Sequence, residues 1–398
     1  MRPLKACLLA ALSAAAACDR LPGLAPRAAR LRGPPPLAMG PWLLDPGAAT
    51  MTVAWATDAP AAGKVWYGTT AADRLATEPG APRTDHRVVL GGLAPQTQYR
   101  YRIEGSDASS VFTTAPEPGA DGPIELLVYG DNRTNSGDHA LVARAAAAER
   151  AQVALHTGDM VVNAREPDLW RTWFREEHDL LARTPLLPTV GNHEITDSGV
   201  AYSRWFQHRD RPTYWSLDYG PLHLDVLDSF ELAAGARPHI GGLSEAQKAW
   251  FEEDLRQVPR DRHVWVLVHQ GPYAHPAHPR PGHGGSETVR AAIAAGAKIH
   301  PIEAVFAGHE HFYERGLIDG LHYFVFGGGG APLEDPDPTF PGVEKALKAL
   351  SYATVFVCGC HARGQVKDIA GKVIDSFTLA DCATPCAAPG FGAEPVGK

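Results

Sequence analysis

Five short polar stretches each follow directly on an apolar run: GD at 130–131, GD at 158–159, GNHE at 191–194, HQ at 269–270 after VLV, and GHEH at 308–311. Their Asp, Asn and His side chains are oxygen and nitrogen donors of the kind that hold Zn, Fe or Mn. Taken singly they say little, since a Gly-Asp pair is usually a turn and a strand-terminal His is usually a hydrogen-bonded core residue. Five in succession differ, because loops at the carboxyl ends of neighbouring strands can converge on one point. Arg133 breaks the pattern. It stands two positions after Asp131, where a histidine would complete an Asp-x-His clamp, and an arginine keeps its proton and cannot ligate a metal.

The elements that must position these residues follow from periodicity. From about residue 41 to 114, short alternating runs (TMTVAWAT, KVWYGT, HRVVLGGL, QYRYRIEG, SSVFTT) are separated by turn residues, as in a small antiparallel sandwich. The Pro- and Gly-rich APEPGADGP at 115–123 reads as a linker. Beyond it, strand, loop and helix patterns alternate, as in an α/β layered domain: IELLVYGD then HALVARAAAAERA, QVALHTGD then DLWRTWFREEHDLLAR, PLLPTVGNHE then a polar segment. Ser244 and Gln247 stand at capping-box spacing, which predicts a helix from about residue 245 leading into strand HVWVLVHQ. ETVRAAIAAGA suggests a further helix, EAVFAGHEH a strand, and LHYFVFGGGG, YATVFVCG and GKVIDSFTL β structure to the end. The glycine run at 327–330 has no following GK[ST], so it is a tight turn and not a nucleotide loop.

Bulk properties exclude some functions. The 398 residues are 44% hydrophobic, enough for more than one core, and 37 Lys plus Arg against 45 Asp plus Glu leave no basic block for nucleic acid. The first eighteen residues carry Arg2 and Lys5 before a short apolar stretch, an export signal. Cys18 after three alanines resembles a lipoprotein cleavage site, with plain cleavage in the alanine run as the alternative. Residues 19–37 read as a flexible tether and 382–398 as a tail. Cys358, Cys360, Cys382 and Cys386 allow three disulfide connectivities in an oxidising compartment; a zinc site including His361 is the alternative.

The order and spacing of GDNR, GDMVV, GNHE, VLVH and GHEHFYER resemble the calcineurin-like metallophosphoesterases, and among them the purple acid phosphatases. TVAWAT, VWYG and GLAPQTQYRYRI likewise resemble that group's fibronectin-type-III-like domain. The resemblance implies a small all-β domain at 38–115. A catalytic domain at 123–381 would follow, an α/β (α+β) layered β-sandwich flanked by helices. It implies two metal ions (Fe, Zn or Mn): Asp159 bridging, Asp131 and His311 on the first, Asn192, His269 and His309 on the second. His193 would be the unligated acid, oriented by Glu194, and His283 a phosphate contact, with His275 and His278 solvated. Small-molecule phosphomonoesters would be the substrates. A phosphodiesterase or nucleotidase on the same site, and a cell-surface binding protein with a decayed site, are the alternatives.

Two positions depart from the family pattern. Val162 stands where the purple enzymes place an iron-binding tyrosine, and Arg133 where other relatives place a histidine. The first metal is short of one ligand, with Asn163 or His139 as candidate replacements. Without tyrosinate the protein is expected to be colourless. The planar fork of Arg133 suits phosphate oxygens, so it is expected to bind substrate; the alternative is a surface ion pair.

Overall fold

The computed structural model describes residues 37–206, 212–231, 241–382 and Cys386. The expected signal, the lipidation site at Cys18, nearly all of the tether and most of the tail lie outside these residues. No described helix is long and apolar enough to cross a membrane.

The N-terminal part is an all-β sandwich of two antiparallel sheets. One has the order β1 (Leu37–Leu44), β2 (Thr50–Ala61), β5 (Arg83–Gly91); the other β4 (Arg74–Thr77), β3 (Lys64–Gly68), β6 (Gln98–Ile103), β7 (Ser109–Thr113). Strict alternation in QYRYRI buries Tyr99, Tyr101 and Ile103 while Gln98, Arg100 and Arg102 face water. Aromatic residues fasten this sandwich to the rest. Trp42 packs on Phe174 with ring centroids 4.4 Å apart, and the Tyr101 hydroxyl donates to the Ala182 carbonyl at 2.6 Å.

The larger part stacks two sheets. The first runs β10 (Leu186–Pro188), β9 (Val153–His156), β8 (Ile124–Tyr129), β18 (Ser351–Cys358), β19 (His361–Asp368), β20 (Val373–Ala380). The second runs β11 (Trp215–Tyr219), β12 (Leu222–Leu227), β13 (His263–Val268), β14 (Ala304–Ala307), β16 (Leu321–Phe326), β15 (Tyr313–Ile318), β17 (Val343–Leu347). Between them lies a core of Leu126, Val128, Leu155, Leu224, Trp265, Phe306, Phe324 and Val355, fully shielded from water. On the outer faces pack α1 (Ser136–Ala148), α2 (Pro167–Glu176), α3 (His178–Leu181) and α4 (Val200–Phe206) on one side, α5 (Glu245–Gln257) and α6 (Glu287–Gly296) on the other. Hence the expected layered sandwich flanked by helices.

Strands β8, β9 and β10 are mutually parallel, as are β12, β13, β14 and β16. Their carboxyl ends therefore open at the same edge, and the polar stretches lie there. The polar segment after GNHE holds more structure than its composition suggested: α4, β11 and β12, the last buried along its whole length. Ser244 caps α5 as expected, its hydroxyl accepting from the Gln247 amide at 3.0 Å. The capping box stays half-made, because the Gln247 side chain turns to Glu231 and to the Asp228 backbone instead. At the C-terminal end the disulfides are Cys358–Cys386 and Cys360–Cys382, which tie the chain after β20 to the β18–β19 turn. The four sulfurs are thus paired, not arranged around zinc.

Candidate metal centre

Three residues leave their strands through a backbone twist that L-amino acids avoid. Asp131 after β8, Asp159 after β9 and His309 after β14 have φ of 58°, 56° and 74°. Such strain persists where the surroundings enforce it, and it clusters at functional sites. Here it aims each side chain inward over the edge of its own sheet. Glycine neighbours make room: a Cβ on Gly308 would come within 2.2 Å of Asp131 Oδ2, and one on Gly191 within 2.3 Å of Asp159 Oδ1.

The imidazoles share one construction. His269 Nδ1 lies 2.6 Å from the Thr157 carbonyl, His309 Nε2 3.0 Å from the Gly282 carbonyl and His311 Nδ1 3.0 Å from the Pro332 carbonyl. A carbonyl only accepts, so each outer nitrogen carries the hydrogen and each inner nitrogen keeps a lone pair in the neutral ring. That is how metal-binding histidines are oriented. The inner nitrogens meet oxygen donors: His269 Nε2 and His309 Nδ1 approach Asn192 Oδ1 at 3.1 and 3.0 Å, and His269 Nε2 is 3.4 Å from Asp159 Oδ1. Lone pairs facing one another in a buried place repel unless a cation sits among them. The residues therefore fit a metal ion at this position. Without one, a proton serves: burial opposes charge on His269, but Asp159 and Asp131 outweigh it and raise its pKa to about 9. His309 is pushed down to about 3 by burial and by His269.

The neighbouring position is different. Asp131, Asp159 and His311 bring three donor atoms within 4.8 Å of one another, all buried. Into this gap reaches Arg133, its Nε donating to Asp159 Oδ2 at 2.9 Å and its Nη2 to His311 Nε2 at 3.0 Å. The side chain is 16% exposed, so it neither points to solvent nor pairs with a surface carboxylate. It stands where a first ion would sit. Val162 offers no ligand, and neither proposed replacement is in place. Asn163 hydrogen-bonds Glu166 and Thr196, while His139 lies in α1 between Glu176 and Glu177 at 2.8 and 2.7 Å.

His193 follows the rule of the other imidazoles. Its Nδ1 lies 2.6 Å from the Val162 carbonyl, which leaves Nε2 toward the site, 3.9 Å from Asp159 Oδ2. Glu194 does not orient it, and this expectation is corrected. Glu194 is wholly buried and accepts from the backbone amides of Asp159, Met160, Val161 and Gly191 at 2.9–3.3 Å, locking the Asp159 loop to the Asn192 loop. Tertiary approach alone creates that role. His283 stacks on His309 with centroids 5.0 Å apart, and its Nδ1 lies 3.1 Å from the Glu310 carboxylate, at the rim of the site. His275 is also corrected: it is nearly buried and pairs with Glu314 at 2.7 Å, whereas His278 is exposed. Sequence reasoning passed over Asn132, whose amide donates to the Gly329 carbonyl and so ties the first loop to the glycine turn after β16. The adjacency of Asn132 to Asp131 was the available signal.

With this geometry in view, comparison with known proteins identifies the two parts. Residues 126–313 match the calcineurin-like phosphoesterase family and residues 43–115 the purple acid phosphatase N-terminal domain. Purple acid phosphatase 1 of Ipomoea batatas is 28% identical over 276 residues, covering 63% of this chain and 56% of that one. Purple acid phosphatase 21 of Arabidopsis thaliana is 30% identical over 249 residues, 58% of this chain and 53% of that one. The chain thus spans about half the length of these relatives. A purple acid phosphatase from yellow lupin (Lupinus luteus) seeds superposes with a TM-score of 0.71 at 17% identity, covering 87% of this chain and 77% of that one. The chain carries a calcineurin-like metallophosphoesterase domain at residues 126–313, preceded at residues 43–115 by the N-terminal domain of the purple acid phosphatases.

Proposed function

We propose that the protein is a metal-dependent hydrolase of small phosphomonoesters. The observation that carries this reading is the set of inner imidazole nitrogens, each held bare by a carbonyl on its far side, converging with Asn192 and Asp159. Asp159, Asn192, His269 and His309 would hold one ion. Asp131, Asp159 and His311 would hold a second, for which Arg133 must release Asp159 and His311. The N and O donors suit Zn, Fe or Mn. Bound there, the ions supply a Lewis acid for phosphate oxygens and a water acidified toward neutral pH.

The chain's own residues do the rest. His193, fixed by Val162, presents Nε2 to the site and is placed to give a proton to the departing ester oxygen. Arg133, once free of His311, offers a planar fork to two phosphate oxygens. His283 stands at the rim, steadied by Glu310, where a phosphate oxygen would meet it. The two disulfides fit an exported protein; attachment through a lipid on Cys18 belongs to the same proposal.

The test is metal content by mass spectrometry on protein purified without chelator, beside turnover of p-nitrophenyl phosphate. Bound transition metal with turnover that chelation abolishes is expected. No turnover after supplying Zn, Fe or Mn would overturn the assignment.

A further inference from the structure

Away from the strand exits, His223 and Asp225 stand on the helix-facing side of β12, and α5 brings Asp254 against them. His223 Nε2 is 3.0 Å from Asp254 Oδ2 and 3.6 Å from Asp225 Oδ2. On the far side of the ring, Nδ1 is 2.9 Å from Asp218 Oδ1, which comes from the paired position of β11. The residues lie outside the centre described above. His223 aligns with Val264, five positions before His269, which places it roughly 16 Å away along the sheet.

Asp225 is the decisive member. It is fully buried, and neither of its carboxylate oxygens has a hydrogen-bond partner. A buried carboxylate without donors is costly, and a protonated His223 does not repair it: the single Nε2 proton is directed at Asp254, the nearer oxygen. Three carboxylates surround one ring, and burial raises the Asp225 pKa to about 7, so without an ion the cluster stays short of positive charge unless Asp225 takes up a proton. A divalent cation would meet both deficits at once. We propose that His223 Nε2, Asp225 and Asp254 form a divalent-cation site of the Mn or Zn type, with Asp218 holding the Nδ1–H and so presenting the bare Nε2 to the ion. The donor atoms already lie within 4.8 Å of one another. The mixed imidazole and carboxylate set suits those ions, and a carboxylate behind a ligating histidine is the usual means of fixing its tautomer. Asp254 is 23% exposed, which gives the ion and its water ligands a way in. The site would pin α5 to the β11–β12 hairpin independently of catalysis.

The experiment compares full-length wild type with Asp225→Asn, Asp254→Asn and Asp218→Asn, read by Mn titration, by metal count and by thermal unfolding with and without Mn. Asp254→Asn is a change on a partly exposed helix face, so a folded variant is available even if Asp225→Asn fails to fold. The first two variants should lose one ion per chain, bind Mn at that site about a hundredfold more weakly or worse, and lose the Mn-induced rise in melting temperature. Asp218→Asn should weaken binding roughly tenfold. Turnover of p-nitrophenyl phosphate should stay at the wild-type level in all three, which separates this site from the one after the strands. Equal metal counts and an equal Mn response in wild type and Asp254→Asn would overturn the proposal and leave the cluster a network of hydrogen-bonded ion pairs.

Discussion

Arg133 donates through Nε to Oδ2 of Asp159 at 2.9 Å, while its Nη2 caps the bare Nε2 of His311 at 3.0 Å. One guanidinium thereby engages two of the three donors that the family would give to its first metal ion. A fixed positive charge occupies the place proposed for that ion and would compete with it for these donors. It also helps burial to push His311 down to about 4, so His311 meets the guanidinium as a neutral acceptor.

Arg133→Ala separates these effects. Removing the guanidinium should strengthen metal binding at the Asp131–His311 position and raise KM for p-nitrophenyl phosphate about tenfold, the loss of one charge-assisted contact to phosphate. Isothermal titration of metal-free protein and steady-state kinetics read the two separately. Unchanged KM and kcat would remove Arg133 from substrate binding; unchanged affinity would show that it yields to the ion at no cost.

His193 makes the opposite case. Its inner nitrogen is 3.9 Å from Asp159, and its backbone amide, not its ring, is what donates to Asp159 Oδ1 at 3.0 Å. His193→Ala should leave metal content intact and lower kcat on the order of a hundredfold or more, as expected for loss of a positioned proton donor. A fall in metal content of the same size would make His193 a ligand and not an acid.

The donors were legible because each lies just past a run of apolar residues, where a parallel sheet has to place its loops. The direction of Arg133 was not. Two residues beyond Asp131, its side chain could reach solvent or the site, and only the packing of the β9 and β14 loops decides. Glu194 was misread for a related reason: beside His193 in sequence it resembles an orienting carboxylate, but four backbone amides from two loops surround it. LHLDVL at 222–227 falls in the stretch read only as a polar segment. In the fold α5 covers one face of it, burying His223 and Asp225, and no local pattern announces the cover.

Glu194→Gln tests the loop lock. An amide group keeps one acceptor oxygen and turns an NH2 toward backbone N–H groups that need an acceptor, so buried amides lose their partners. A destabilisation on the order of 3 kcal/mol is expected, together with weaker metal binding, because either replaced oxygen strips two amides of the loops that present Asp159, those of Asp159 and Gly191 or those of Met160 and Val161. Denaturant unfolding and metal titration should both shift. If stability falls while metal affinity holds, the lock serves folding alone.

His139 ties α1 to the end of α2 and makes stability depend on pH. Burial works against its charge, but the hydrogen bonds to Glu176 and Glu177 override it and raise its pKa to about 9. In the unfolded chain the ordinary histidine value is about 6.5. The folded state therefore holds its proton more tightly, and the contribution is fully present below about pH 6.5 and is lost as pH rises through 9. A shift of that size corresponds to roughly 3 kcal/mol. Denaturation midpoints of the wild type should fall across this window more steeply than those of His139→Gln, which has no proton to lose. Parallel curves for the two proteins between these limits would mean that His139 is neutral in the fold and that its two carboxylate partners are held by other means.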